Sequence, residues 1–189
     1  MSDRNQLVED FIHEPDVSKS HEIAIDAPAD VVLDVAEHFD LQSIPTIHFL
    51  FRLRELLLHI RHKARPKMKF LVSETTNLGW IRLAHSPGRQ LIMGAIAQPW
   101  VGNVEFKAIS PDEFSSFAEP GFVKIVWTLE AEPLRYRTTL FRTQTRVFAT
   151  DGTARKRFLL YWAFAGGFVG LIRELGIREI KRQAEQRLF

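Results

Sequence analysis

The sequence predicts an α+β domain whose sheet is antiparallel. Three observations carry that expectation. Apolar residues alternate with a period of two through most of 68–149. Apolar spacings of three and four govern the segments on either side. After a first strand and two helices the remaining strands fall in one block before a long closing helix, and no internal repeat, linker or low-complexity tract divides the chain.

Residues 1–20 have no clear periodicity and read as an N-terminal arm, leaving 21–189 as a single domain. His21 to Asp26 alternates and predicts a first strand. Ala27-Pro28 then opens a helix, with Asp30 in its first turn and Val32, Val35, Ala36 and Phe39 on one stripe. Pro45 opens a second helix to about His62, with Phe49, Leu50, Leu53, Leu56, Leu57 and Ile60 on its apolar face. The basic stretch HKARPK ends it at Pro66.

Six further strands are expected near 68–74, 77–86, 89–98, 103–109, 121–131 and 136–149, which makes seven in all. Ser86-Pro87-Gly88-Arg89 has Pro and Gly at the central positions of a type II turn. SPDEFSSF at 110–117 predicts one helical turn. Asp151 is placed to cap a last helix in which Phe158, Tyr161, Trp162 and Ala165 have helical spacing. Asp151-Gly152 is also a hairpin signal, with 154–162 as an extra strand. Gly166-Gly167 predicts a kink, after which Phe168, Leu171, Ile172, Leu175, Ile180 and Ala184 continue the stripe.

Composition narrows the function classes. The chain is 46% hydrophobic and carries fifteen Phe and four Trp, enough for a sizeable core and for a lined cavity. A net charge of +2 argues for no nucleic-acid partner. With no cysteine, disulfides, cysteine-ligated zinc and iron–sulfur clusters are excluded, and a cytoplasmic location is expected. The uncharged run from Phe158 to Ile172 is short against the ~20 residues of a membrane-spanning helix. No phosphate-binding loop, dinucleotide fingerprint or nucleophile elbow occurs, and no cofactor is expected.

The stretches HEIAIDAPADVVLDVA, TRVFATDGTARKRFLLYW and LIRELGIREIKRQAE resemble the opening and closing elements of the START-like (SRPBCC) superfamily, in an uncharacterised bacterial branch. Polyketide cyclases, lipid carriers and hormone receptors belong to it. The resemblance covers roughly residues 20 to 187. It implies a helix-grip fold, a seven-stranded curved antiparallel sheet wrapped on a long C-terminal helix, with two short helices after the first strand and an apolar cavity. One reaction is not implied, because this fold hosts carriers, receptors and enzymes.

Alternation then assigns the faces. Val123, Ile125, Trp127 and Leu129 oppose Lys124, Thr128 and Glu130. Thr139, Phe141, Thr143, Thr145 and Val147 oppose Arg142, Gln144 and Arg146. Burying an unpaired arginine is costly, so the arginine face is expected to be solvated and Trp127, Phe141 and Thr143 to face the cavity. A two-residue turn at Pro87-Gly88 pairs Leu83 with Ile92 and Ile81 with Gly94. Ile81, Leu83, Ile92 and Ile96 are then expected inside, followed by Gln98, with Trp80, Arg82 and Met93 outside. Trp162 on the closing helix completes the expected lining.

Arg54 lies between the apolar Ile47, Phe51 and Leu58 on one helical row. It either meets a carboxylate, of the fold or of a ligand, or covers core with its stem. His48, His59 and His62 read as a solvated stripe, so no metal site is expected. The basic run at 61–69 reads as a solvated loop, with anionic lipid headgroups or RNA as the functional alternative. His85 is the strand histidine expected on the inner face, next to a turn. The expected partner is a small hydrophobic molecule, lipid or aromatic polyketide-like, held in an internal cavity. A cyclase or dehydratase activity and a weak membrane-surface contact are the alternatives.

Overall fold

The computed structural model describes residues 8–40, 76, 79–101, 104 and 106–188. In chain order these form β1 (Val17–Ile25), α1 (Ala29–Glu37), β2 (Ile81–Ser86), β3 (Gln90–Ala97), α2 (Pro111–Ser116), β4 (Val123–Arg135), β5 (Thr138–Ala149) and α3 (Gly152–Gln186). The strands build one antiparallel sheet of order β1-β5-β4-β3-β2. Among the described residues the sheet therefore has five strands, not seven. The expected helix at 45–62, with Arg54, and the expected strand at 68–74 lie outside the described residues. Of the strand expected at 103–109, the described residues show a bridge between Ala97 and Phe106, continued by the Lys107 N–H donating to the Ile96 carbonyl at 2.9 Å.

The helices start where local chemistry satisfies their free N–H groups. The Pro28 carbonyl accepts from the Val32 N–H at 3.0 Å, so Pro28 is the N-cap of α1. Ser110 and Glu113 form a reciprocal capping box at α2. The Asp151 carboxylate accepts from the N–H groups of Thr153 and Ala154 at 2.7 and 3.0 Å. That cap settles 154–162 as helix rather than strand, and Gly166-Gly167 do not interrupt α3.

The β2–β3 turn has the expected type II form, with the Arg89 N–H donating to the Ser86 carbonyl at 3.0 Å and Gly88 at φ +68°. Ser86 faces Gln90, however, so three residues separate the paired strands. A bulge at Leu83 absorbs the offset and returns Ile81 opposite Gly94, as the sequence predicts.

Both faces of the sheet are covered. On one side Ile25, Leu91, Met93, Leu129, Ala131 and Phe141 pack against α1 and against Ile177, Ile180 and Ala184 of α3. On the other, Ile92, Ile96 and Val126 pack against Phe114 of α2 and against Val8 and Ile12. The segment read as an arm thus contributes to the core, and β1 begins at Val17 rather than His21.

The arginine face was expected to be solvated and is so only in part: Arg142 and Gln144 are half-exposed, while Lys124 and Arg146 are only 6% and 8% exposed. Lys124 Nζ donates to the Ser115 carbonyl at 2.7 Å, and Arg146 Nη1 to the Ile12 carbonyl at 3.2 Å. The covering segments supply the acceptors that water would otherwise provide.

The faces of β4 and β5 fall as expected. Met93, Trp127, Thr145 and Lys19 lie in one register row, and so do Ala131, Phe141 and Ile23. The face of β3 is reversed. Ile92 and Ile96 point away from α3, with Ile81 and Leu83 packed beside them, while Met93 and Trp80 lie on the helix side. Every residue of β3 is buried. A strand buried on both faces shows no polar contrast, so alternation cannot say which side the helix takes.

Candidate functional site

The site is built from the middle of the helix-side face. Trp127 is half-buried there, and its indole Nε1 donates to Thr143 Oγ1 at 2.9 Å. Trp80 stands edge-on to it, with ring centroids 6.3 Å apart. In the next register rows lie Thr145, opposite Trp127 on β5, and His21, opposite Thr143 on β1. Above them Trp162, Gly166, Val169 and Arg173 fall on one row of α3 by helical spacing. Arg173 Nη2 donates to Thr145 Oγ1.

This strip separates two apolar clusters. Towards the end of α3, Ile177, Ile180 and Ala184 belong to the core with Phe141. Towards its start, Ala154 and Phe158 pack on Val123, Val147 and Ala149. The strip between combines half-buried Trp127, His21 and Arg173 with the buried hydroxyls of Thr143 and Thr145.

Two polar atoms of the strip are buried without a hydrogen-bond partner, Arg173 Nη1 and His21 Nδ1. Burial lowers the Arg173 pKa to about 10, so the group stays charged at neutral pH. The His21 pKa is lowered by burial first and then by the Arg173 charge, with a smaller push from Lys19 and an opposing one from Glu174. Lys19 is exposed on the edge strand.

Of the residues expected to line a cavity, the structure brings Trp127 and Thr143 together at this strip. Phe141 shares their face but is fully enclosed against α1, so it fills core rather than lining a surface. Trp162 packs at the starting end of α3, 5.7 Å from the Phe158 ring, and its indole lies across Gly166. Gln98 points to the backbone, donating from Nε2 to the Gly121 carbonyl at 2.8 Å. Ile81, Leu83, Ile92 and Ile96 are on the opposite face. His85 lies 3.1 Å from a Glu37 carboxylate oxygen, away from the strip.

Sequence reasoning missed His21 and Arg173. His21 is in phase with Ile23 and Ile25, and that phase was the available signal. Arg173 ends the uncharged run of α3 and reads as a boundary rather than a site.

The outer side of α3 has a different character. Leu160 and Phe164 are 67% and 75% exposed, and Leu171 is exposed beside them. An 18-residue window of α3 is long and apolar enough to cross a membrane by length and composition. Among the described residues, no cluster of three or more His, Asp or Glu is arranged to hold a metal.

No family model and no curated protein matches the chain. Several solved structures are similar at low identity, among them the following three. Zhui aromatase/cyclase from Streptomyces sp. R1128 is 10% identical with a TM-score of 0.35, over 92% of this chain and 96% of that one. A conserved protein from Geobacillus kaustophilus is 11% identical with a TM-score of 0.38, over 90% and 96%. CalU16 from Micromonospora echinospora is 12% identical with a TM-score of 0.31, over 90% and 84%.

Proposed function

We propose that this chain binds a small apolar molecule between α3 and the middle of the sheet, as a START-like helix-grip domain. The strip that interrupts the core carries this reading. The clusters at the two ends of α3 are distinct, and half-buried Trp127, at the edge of one of them, faces α3 between them with its indole on Thr143. Apolar surface with a few fixed polar points is the usual make-up of a small-molecule site.

Affinity would come mainly from apolar burial, roughly 25 cal/mol per Å² before the costs of association. Nile red titration and native mass spectrometry test the reading. Uptake by the wild type is expected, and Trp127→Ala should raise Kd by about tenfold, the equivalent of ~1.4 kcal/mol. A wild-type protein that takes up no apolar probe by either method ends the proposal.

A cyclase-type activity requires a titratable group against the ligand, and His21 is the histidine on this strip. A membrane-surface role is favoured by one separate observation, the exposure of Leu160 and Phe164 next to the basic pair Lys156 and Arg157. Salt-sensitive co-sedimentation with phosphatidylserine vesicles, lost in Leu160→Ser/Phe164→Ser, is the outcome that supports it; no binding to such vesicles removes it.

A further inference from the structure

The strip holds a cation that no carboxylate among the described residues is seen to pair with. Among the described residues Arg173 makes one side-chain hydrogen bond, to the neutral hydroxyl of Thr145, and its Nη1 is enclosed with no acceptor. Burial is the sole cause of its shifted pKa, with no carboxylate contributing. Arg146, on the opposite face of the sheet, is treated differently: although its Nε is also without a partner, it has the Ile12 carbonyl at 3.2 Å and a Glu9 carboxylate oxygen at 3.7 Å. His21 adds a second unpartnered ring nitrogen to the strip, and Lys19 stands exposed two residues away on the same face and the same edge strand. The nearby carboxylate, Glu174, already accepts from Arg178.

We propose that Arg173, assisted by His21, receives the carboxylate head of an amphiphilic acid whose apolar body lies along Trp127 and the row beneath α3. This deepens the ligand-binding reading and rests on it. Arginine is suited to the task because its planar fork donates directionally to carboxylate oxygens in a site shielded from water. The Trp162 indole already covers Gly166, so the body is assigned to the Arg173 side of that ring, against half-buried Trp127. The neutral imidazole of His21 serves as a hydrogen-bond partner for the second oxygen, and Lys19 marks the β1 edge as the side from which an anion approaches.

The experiment uses the full chain and two probe pairs, 11-(dansylamino)undecanoic acid with its methyl ester, and 2-naphthoic acid with its methyl ester. Fluorescence titration of the wild type should give each acid a Kd at least tenfold below that of its ester. Arg173→Met should abolish the preference while leaving ester binding unchanged, and Arg173→Lys should retain part of it. Thermal melts confirm that the variants fold; Arg173→Met should melt at or above the wild type, since it removes an unneutralised buried charge. Equal affinity for acids and esters, unchanged in Arg173→Met, overturns the assignment of Arg173 while leaving the apolar site standing. Failure of the wild type to take up acid, ester or Nile red overturns both.

Discussion

The two faces of the sheet bury cations on opposite terms. On the face away from α3, Lys124 and Arg146 are sealed under α2 and the N-terminal segment, and each donates to a backbone carbonyl of the element that covers it. Lys124 also lies 5.3 Å above the Phe114 ring. On the face toward α3, Arg173 meets only a hydroxyl among the described residues, and while Arg146 and Arg173 each keep one unpartnered nitrogen, Arg173 has no carbonyl or carboxylate acceptor there. Buried charge on the first face belongs to the architecture, because its acceptors arrive when the covering segments dock. The enclosed Nη1 on the second has no acceptor among the described residues and is the place proposed for a ligand carboxylate.

The strongest test of this contrast is whether both faces are true core. Phe141 and Phe114 are fully buried on opposite sides. Phe141→Ala and Phe114→Ala should each cost about 3–5 kcal/mol in urea denaturation. A Phe114→Ala variant as stable as the wild type would return the arginine face to solvent and dissolve the comparison.

Gly94 gives the next effect. A Cβ there would sit 2.7 Å from Leu83 Cδ1 and 3.0 Å from the Phe114 ring. Gly94→Ala should destabilise by about 1–3 kcal/mol through overpacking. Adding Leu83→Ala should recover part of that loss, measured as a positive interaction in a double-mutant cycle.

The two arginines should then respond with opposite signs. Arg146→Met strips the Ile12 carbonyl of a charged donor and should cost about 1.5–3 kcal/mol. Arg173→Met, read in the same melts without ligand, should not destabilise. Equal losses for the two would make Arg173 a structural residue like Arg146.

The smallest effect is in pH. The folded state lowers the His21 pKa below its ordinary 6.5, chiefly through burial. The unfolded chain therefore binds more protons than the folded one as pH falls through 6.5. Stability contributed by neutral His21 is present above that pH and is lost below it, until the folded pKa is passed. His21→Gln should flatten this part of the Tm-against-pH curve; an unchanged slope would place the imidazole in contact with solvent.

Much of the fold was legible in the sequence because local chemistry decided it. Asp151 two residues before Thr153, Ser110 three before Glu113, and Pro87-Gly88 each specify a cap or a turn within four residues. The alternation of β4 and β5 was readable because one face carries Lys124, Arg142 and Gln144 and the other does not. The site was only partly legible. Trp127 and Thr143 followed from that alternation, whereas Arg173 is recruited by an approach between α3 and β5, 28 residues away in sequence. No local pattern encodes that distance.

By itself, then, the sequence determined the α+β order, the helix starts, the Pro87-Gly88 turn and the facing of Trp127 toward the closing helix. The tertiary structure alone decided which side of β3 meets α3, how Val8 and Ile12 come to cover the arginine face, and why His21 and Arg173 share a strip. Hydrogen bonds and turns act over a few residues and leave a trace in local spacing. Burial depends on what a distant segment places on top, and a strand enclosed on both sides carries no mark of which cover is which.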